Sequence, residues 1–174
     1  MLAAQGCTRD DLYPDTDSNV FLPPSEKASD DADDRVPVSY YRIDSDQDGD
    51  QEQVKKRILS CISSGHSFVT GVTCYDSFFE EKTLDTGVVR FPNLSAEREQ
   101  GGHAMHFGEY DLRFHDSDQA SQLRAMGLRD DEIPMEVVVA AQSWGPEFAQ
   151  FWYFPLDYII DRYLSDDAWT SRRK

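Results

Sequence analysis

Gly101-Gly102-His103-Ala104-Met105-His106-Phe107-Gly108-Glu109-Tyr110-Asp111 reads as one strand, and Val137-Val138-Val139-Ala140-Ala141-Gln142-Ser143-Trp144 reads as another. Each run carries one polar residue at a strand end. His103 opens the first. Gln142 closes the second and is followed by Ser143 and Trp144. Antiparallel neighbours could set that imidazole beside that amide.

The second run continues as Gly145-Pro146-Glu147-Phe148-Ala149-Gln150-Phe151-Trp152-Tyr153-Phe154. Together these residues resemble the C-terminal half of papain-like cysteine peptidases. In that family a G-H-A segment supplies the general-base His. A later N-S-W-G-x-x-W-G-x-x-G-Y-F segment supplies an orienting Asn and a covering Trp, and the run from Gln142 to Phe154 keeps its spacing. The likeness extends over roughly residues 36–170. Val72 to Pro92 resembles the family's strand, aromatic helix and T-G-V-V turn. Pro155-Leu156-Asp157-Tyr158-Ile159 and Asp166-Asp167-Ala168-Trp169-Thr170 resemble its C-terminal tail.

The resemblance implies an α+β papain-like fold, mainly the antiparallel, barrel-like sheet lobe with short helices. It implies His103 as base, Gln142 in the place of the orienting Asn, Trp144 as the shield of their hydrogen bond, and Ser143 as a supporting neighbour. A base of this kind takes the proton of a thiol and later returns it to the leaving amine. The chain also departs from the pattern. Gln142 is longer than Asn by one C–C bond, roughly 1.5 Å, and a 1 Å misplacement can cost ~100-fold in rate. Phe148 stands where the family has Trp, and Ala149 and Trp152 stand where it has Gly.

No cysteine matches the family's nucleophile, which lies on the first turn of a long helix in a C-G-x-C-W-like context. Cys61 falls on a helical apolar stripe and Cys74 near a strand end. Cys7 follows Gln5-Gly6, but no Trp or helix follows it. The reading is therefore a peptidase in descent, expected to be inactive as this chain. The alternatives are a non-catalytic protein-binding module, or one part of a split or truncated peptidase whose Cys lobe is supplied elsewhere. The expected partner is a peptide or protein.

At 174 residues, the chain suits one lobe and a little more. Seventeen basic against thirty-three acidic residues give a formal charge of −16, which disfavours nucleic acid and anionic membranes as partners. Three cysteines do not make a disulfide framework. No signal peptide or spanning segment is visible, so a soluble chain, cytoplasmic rather than secreted, is expected. No cofactor is implied. His103 and His106 would point to opposite faces of a strand, and no CxxC or HExxH run occurs, so no metal is expected.

Residues 1–35 read as an acidic, flexible arm with a short helix over Glu26–Asp33 capped by Ser25. Residues 36–174 read as the sheet-rich lobe, with an insert at 116–134. Val36 to Ile43 suggests a strand. Asp44 to Asp50 has the spacing of the start of an EF-hand loop, but Lys55 stands where its bidentate Glu belongs. A helix is expected over Gln51–Ser63, with Val54, Ile58, Cys61 and Ile62 on one face. Strands follow at His66–Cys74 and Gly87–Phe91, and Ser95 to Gln100 reads as a polar loop. Ser117 should cap a helix over Asp118–Met126 that Gly127 stops. Leu156 to Tyr163 should form the last helix.

Overall fold

The computed structural model describes residues 8–14, 16, 22–34, 39–44 and 50–172. Two compact units are present: residues 1–41 with 171–174, and residues 42–170. In the first unit, helix α1 spans Glu26–Asp33, and the Ser25 hydroxyl accepts the Ala28 N–H at 3.2 Å. Asp31 ties residues 8–9 to this helix, accepting from the Thr8 hydroxyl at 3.1 Å and from the Arg9 N–H at 3.0 Å.

The second unit is built on an antiparallel sheet. Its strands are β2 (Phe68–Tyr75), β3 (Glu99–Asp111), β4 (Val137–Ala141), β5 (Phe151–Pro155) and β6 (Ser165–Arg172); β1 is Ser39–Arg42. Within this unit the strands run in the order β6-β2-β3-β4-β5. β2 pairs antiparallel with β3 and β6, β3 with β4, and β4 with β5. This is the expected α+β class with an antiparallel sheet.

Helix α2 covers Gln51–Ser63, as the apolar spacing predicts, and buries Val54, Ile58 and Cys61. Its N-terminus is fixed by Asp50, whose carboxylate accepts the Glu52 N–H at 3.0 Å. The EF-hand-like run lies largely outside the described residues, since only Asp44 and Asp50 belong to them. Ile58, Phe68, Phe107, Trp152 and Phe154 join one apolar core. Along β3, Met105 and Phe107 are buried while Ala104, His106 and Gly108 are exposed, the alternation of a half-buried strand.

The insert builds a second, smaller core. Ser117 caps helix α4 (Asp118–Ala125), its hydroxyl accepting the Ala120 N–H at 3.1 Å. Ala120, Leu123, Leu128 and Ile133 pack against Val88 and Val137.

Three stretches differ from expectation. Helix α3 (Glu81–Thr86) precedes Gly87, and only Val88 then bridges β5, in parallel, at Tyr153. Gly87 has φ +70°, and a Cβ there would lie 2.1 Å from the Phe151 carbonyl oxygen, so the close approach requires glycine. The last helix, α5, is shorter, Leu156–Ile160. The tail after it forms β6, a full strand whose register with β2 shifts between Val69 and Gly71, where Asp167 takes φ 65°.

Candidate active site

β3 and β4 carry the site. Their pairing reaches His106 opposite Ala141 and then stops. Three residues further along each chain, the same register would set His103 opposite Trp144. The rings do meet: the His103 and Trp144 centroids are 5.2 Å apart, with planes tilted by 37°. Trp144 is held in turn by an aromatic cluster. It stacks on Phe79 at 5.9 Å and 9°, and meets Phe78, Trp152 and Phe148 edge-on.

His103 is half-buried on the core face of β3. Burial pushes its pKa below the ordinary imidazole value. The neutral ring, which can accept a proton, is thereby favoured.

Gln142 continues β4 by one bond, its N–H donating to the Gln150 carbonyl at 3.0 Å. Its side-chain carbonyl accepts the N–H of Ser143 at 2.7 Å. Its Nε2 is buried and has no hydrogen-bond partner among the described residues. An amide that orients an imidazole N–H must offer its carbonyl oxygen. Here that oxygen faces Ser143. The structure thus brings His103 and Trp144 together, and no hydrogen bond joins His103 to Gln142 among the described residues.

The two described thiols lie in the core. Cys61 and Cys74 are 4% and 3% exposed, too little for either to meet a substrate. Cys74 pairs with Gly101 while Val72 pairs with His103, so Cys74 is a diagonal neighbour of His103 on the same face. Burial pushes the Cys74 thiol up to about 11, which keeps it protonated at neutral pH. Neither thiol hydrogen-bonds to His103; Cys61 faces the His66 and Ser67 carbonyls. Cys7 lies outside the described residues.

Sequence reasoning missed Phe79. The Phe78-Phe79 pair was its signal, but the sequence gives no reason for Phe79 to stack on a Trp from a distant loop. Among the described residues, no group of three or more His, Cys, Asp or Glu could hold a metal ion, and no helix is long and apolar enough to cross a membrane.

No protein-family model matches the chain, and no curated protein matches it. Among solved structures it is similar to xylellain, a cysteine protease from Xylella fastidiosa, with 22% identity and a TM-score of 0.67. The match covers 99% of this chain and 59% of that one, so this chain spans well under two thirds of its structural neighbour. At this identity the likeness speaks for architecture, and the architecture is that of a papain-like cysteine protease fold.

Proposed function

We propose that the chain is the His-bearing half of a papain-like cysteine peptidase, inactive by itself, which binds a peptide or protein on the face carrying His103 and Trp144. The observation that carries this reading is the contact of His103 with Trp144, made while the Gln142 carbonyl is turned to Ser143. In this reading His103 and Trp144 stand where the base and its shield would be, no orienting bond to Gln142 is made among the described residues, and the described thiols are buried. Phe79, 46% exposed beside Trp144, offers apolar area for a partner. The charge of −16 argues against nucleic acid and anionic membranes as that partner.

A second reading is favoured by the coverage of 59% of the structural neighbour. In it, a Cys-bearing lobe comes from another chain or from a longer form of this one, and docks beside His103.

An epoxide that alkylates only a His-activated cysteine separates the readings. The pure chain should yield no adduct at Cys7, Cys61 or Cys74 by mass spectrometry. An adduct that disappears in His103→Ala would overturn the claim of inactivity. An adduct on a co-purifying chain would establish the second reading.

A further inference from the structure

A groove of about 560 Å³ opens at the start of β4 and the end of β5, remote from His103, between residues 89–91 and the insert residues 129–136. Val89, Ile133 and Leu156 close its floor and are buried. Its lips are apolar and open: Phe91 is 50% exposed on one side and Met135 66% exposed on the other. The Phe91 ring is fixed edge-on against Tyr158 at 5.7 Å. Pro134 and Pro155 stiffen the walls between them. Large apolar side chains held open at the mouth of a groove mark a contact surface.

The charges around the groove narrow the occupant. Four carboxylates line it, and each already faces a cation. Arg129 lies 2.9 Å from Asp131, Lys82 2.7 Å from Glu132 and Lys55 2.7 Å from Glu136. Asp157 acts on the same Lys55 ammonium. The remaining guanidinium, that of Arg90, is paired with Glu80 at 2.6 Å. Four cations therefore stand against five carboxylates at the groove, whereas the rest of the chain sets thirteen basic residues against twenty-eight acidic ones. A charged ligand of either sign finds its counterpart already engaged.

A second copy of this chain meets the least repulsion at such a patch. At about 0.15 M salt the Debye length is about 8 Å, so only the charges close to a contact count, and here they nearly cancel. The patch also suits a copy of itself. Under a two-fold axis each protomer presents both lips, a flexible thioether and a fixed aromatic ring, and these two pack well together.

We propose that this groove is the contact of a two-fold symmetric homodimer, in which Met135 of each protomer enters the opposite groove and packs on the partner's Phe91. About a dozen residues line the groove, against roughly 20–30 a side in a standard interface, so the dimer is weak and forms only at high concentration. It is independent of the reading of the His103 face, because groove and imidazole lie at opposite ends of β4.

Sedimentation velocity tests it on the full chain. The mean mass should rise from monomer toward dimer across roughly 5–500 µM protein. Met135→Lys and Phe91→Lys should each weaken association at least ~10-fold. Both lower the net negative charge, so simple relief of repulsion would strengthen association instead. His103→Ala should leave it unchanged. Raising NaCl from about 0.05 to about 0.5 M should strengthen the dimer, since salt screens the residual repulsion and leaves an apolar contact intact. If circular dichroism shows Phe91→Lys unfolded, Met135→Lys decides alone, because its side chain stands in solvent. A mass that stays monomeric over the whole range overturns the proposal. So does a dimer that Met135→Lys leaves intact, which would place the contact elsewhere, or one that salt dissolves, which would mark a contact between opposite charges.

Discussion

His103 lies against Trp144 with 5.2 Å between ring centroids, and this packing, with no carboxylate hydrogen-bonded to the imidazole among the described residues, sets its titration. Burial lowers its pKa below the ordinary 6.5. A depressed histidine binds fewer protons when folded than when unfolded, so stability falls as the pH drops below that ordinary value. The contribution is fully present above it and is lost as the pH falls through the folded-state pKa. The C2 proton of His103 should therefore titrate with a midpoint below 6.5. His103→Gln should flatten the decline in melting temperature on the acid side of neutrality. A midpoint above the ordinary value would mean that a carboxylate reaches the ring.

The Gln142 amide gives a second expectation. Its buried Nε2 lacks a partner, and an unsatisfied buried donor costs about 1–3 kcal/mol. Gln142→Met removes that donor at nearly constant volume. It also removes the acceptor for the Ser143 N–H, but Ser143 is exposed and water can replace it. Denaturant unfolding should put the variant within about 1 kcal/mol of the parent, or above it. A loss beyond about 3 kcal/mol would mean that the amide is satisfied in solution.

Cys74 should behave as a core thiol. It is 3% exposed, and burial pushes its pKa up to about 11. Iodoacetamide at pH 8 should leave Cys74 unmodified in the native protein for as long as the fold holds, and modify it readily in guanidinium. Peptide mapping by mass spectrometry separates it from Cys7. Rapid native labelling of Cys74 would mean that β2 opens locally.

Where apolar periodicity or a cap governs an element, the sequence states it openly. Helix α2 follows from Val54, Ile58 and Cys61 at one-turn spacing, and helix α4 from Ser117 and Gly127. Helix α3 has no apolar stripe to find. It buries Thr83 and Thr86 instead, and their hydroxyls donate to the Ser77 carbonyl at 2.8 Å and the Lys82 carbonyl at 2.6 Å. β6 hides for another reason: its bulge at Asp166 and Asp167 breaks the alternation that marks a strand. At the candidate site, the G-H-A and S-W-G runs point to His103 and Trp144. The direction of the Gln142 amide is a rotamer choice made by the Ser143 N–H, and residue identity does not encode it.

Trp152 tests whether a departure from the papain-like pattern has been absorbed into the core. The pattern has glycine at this position. Here the indole is fully buried, donates to the Ala149 carbonyl at 3.0 Å, and packs on Phe78 at 4.8 Å and Trp144 at 5.5 Å. If the glycine were merely a permissive position, restoring it would be tolerated. The packing says otherwise, because Trp152 supports the same Trp144 that covers His103. Deleting a buried Trp to Ala costs about 3–5 kcal/mol, and glycine adds backbone entropy. Trp152→Gly should lose at least about 4 kcal/mol in denaturant unfolding, and the His103 titration should move back toward its ordinary value as Trp144 loosens. Trp152→Phe, which keeps most of the ring volume, should lose roughly half as much and leave the titration near its native midpoint. A Trp152→Gly protein that is as stable as the parent would show that the indole fills space the fold does not need.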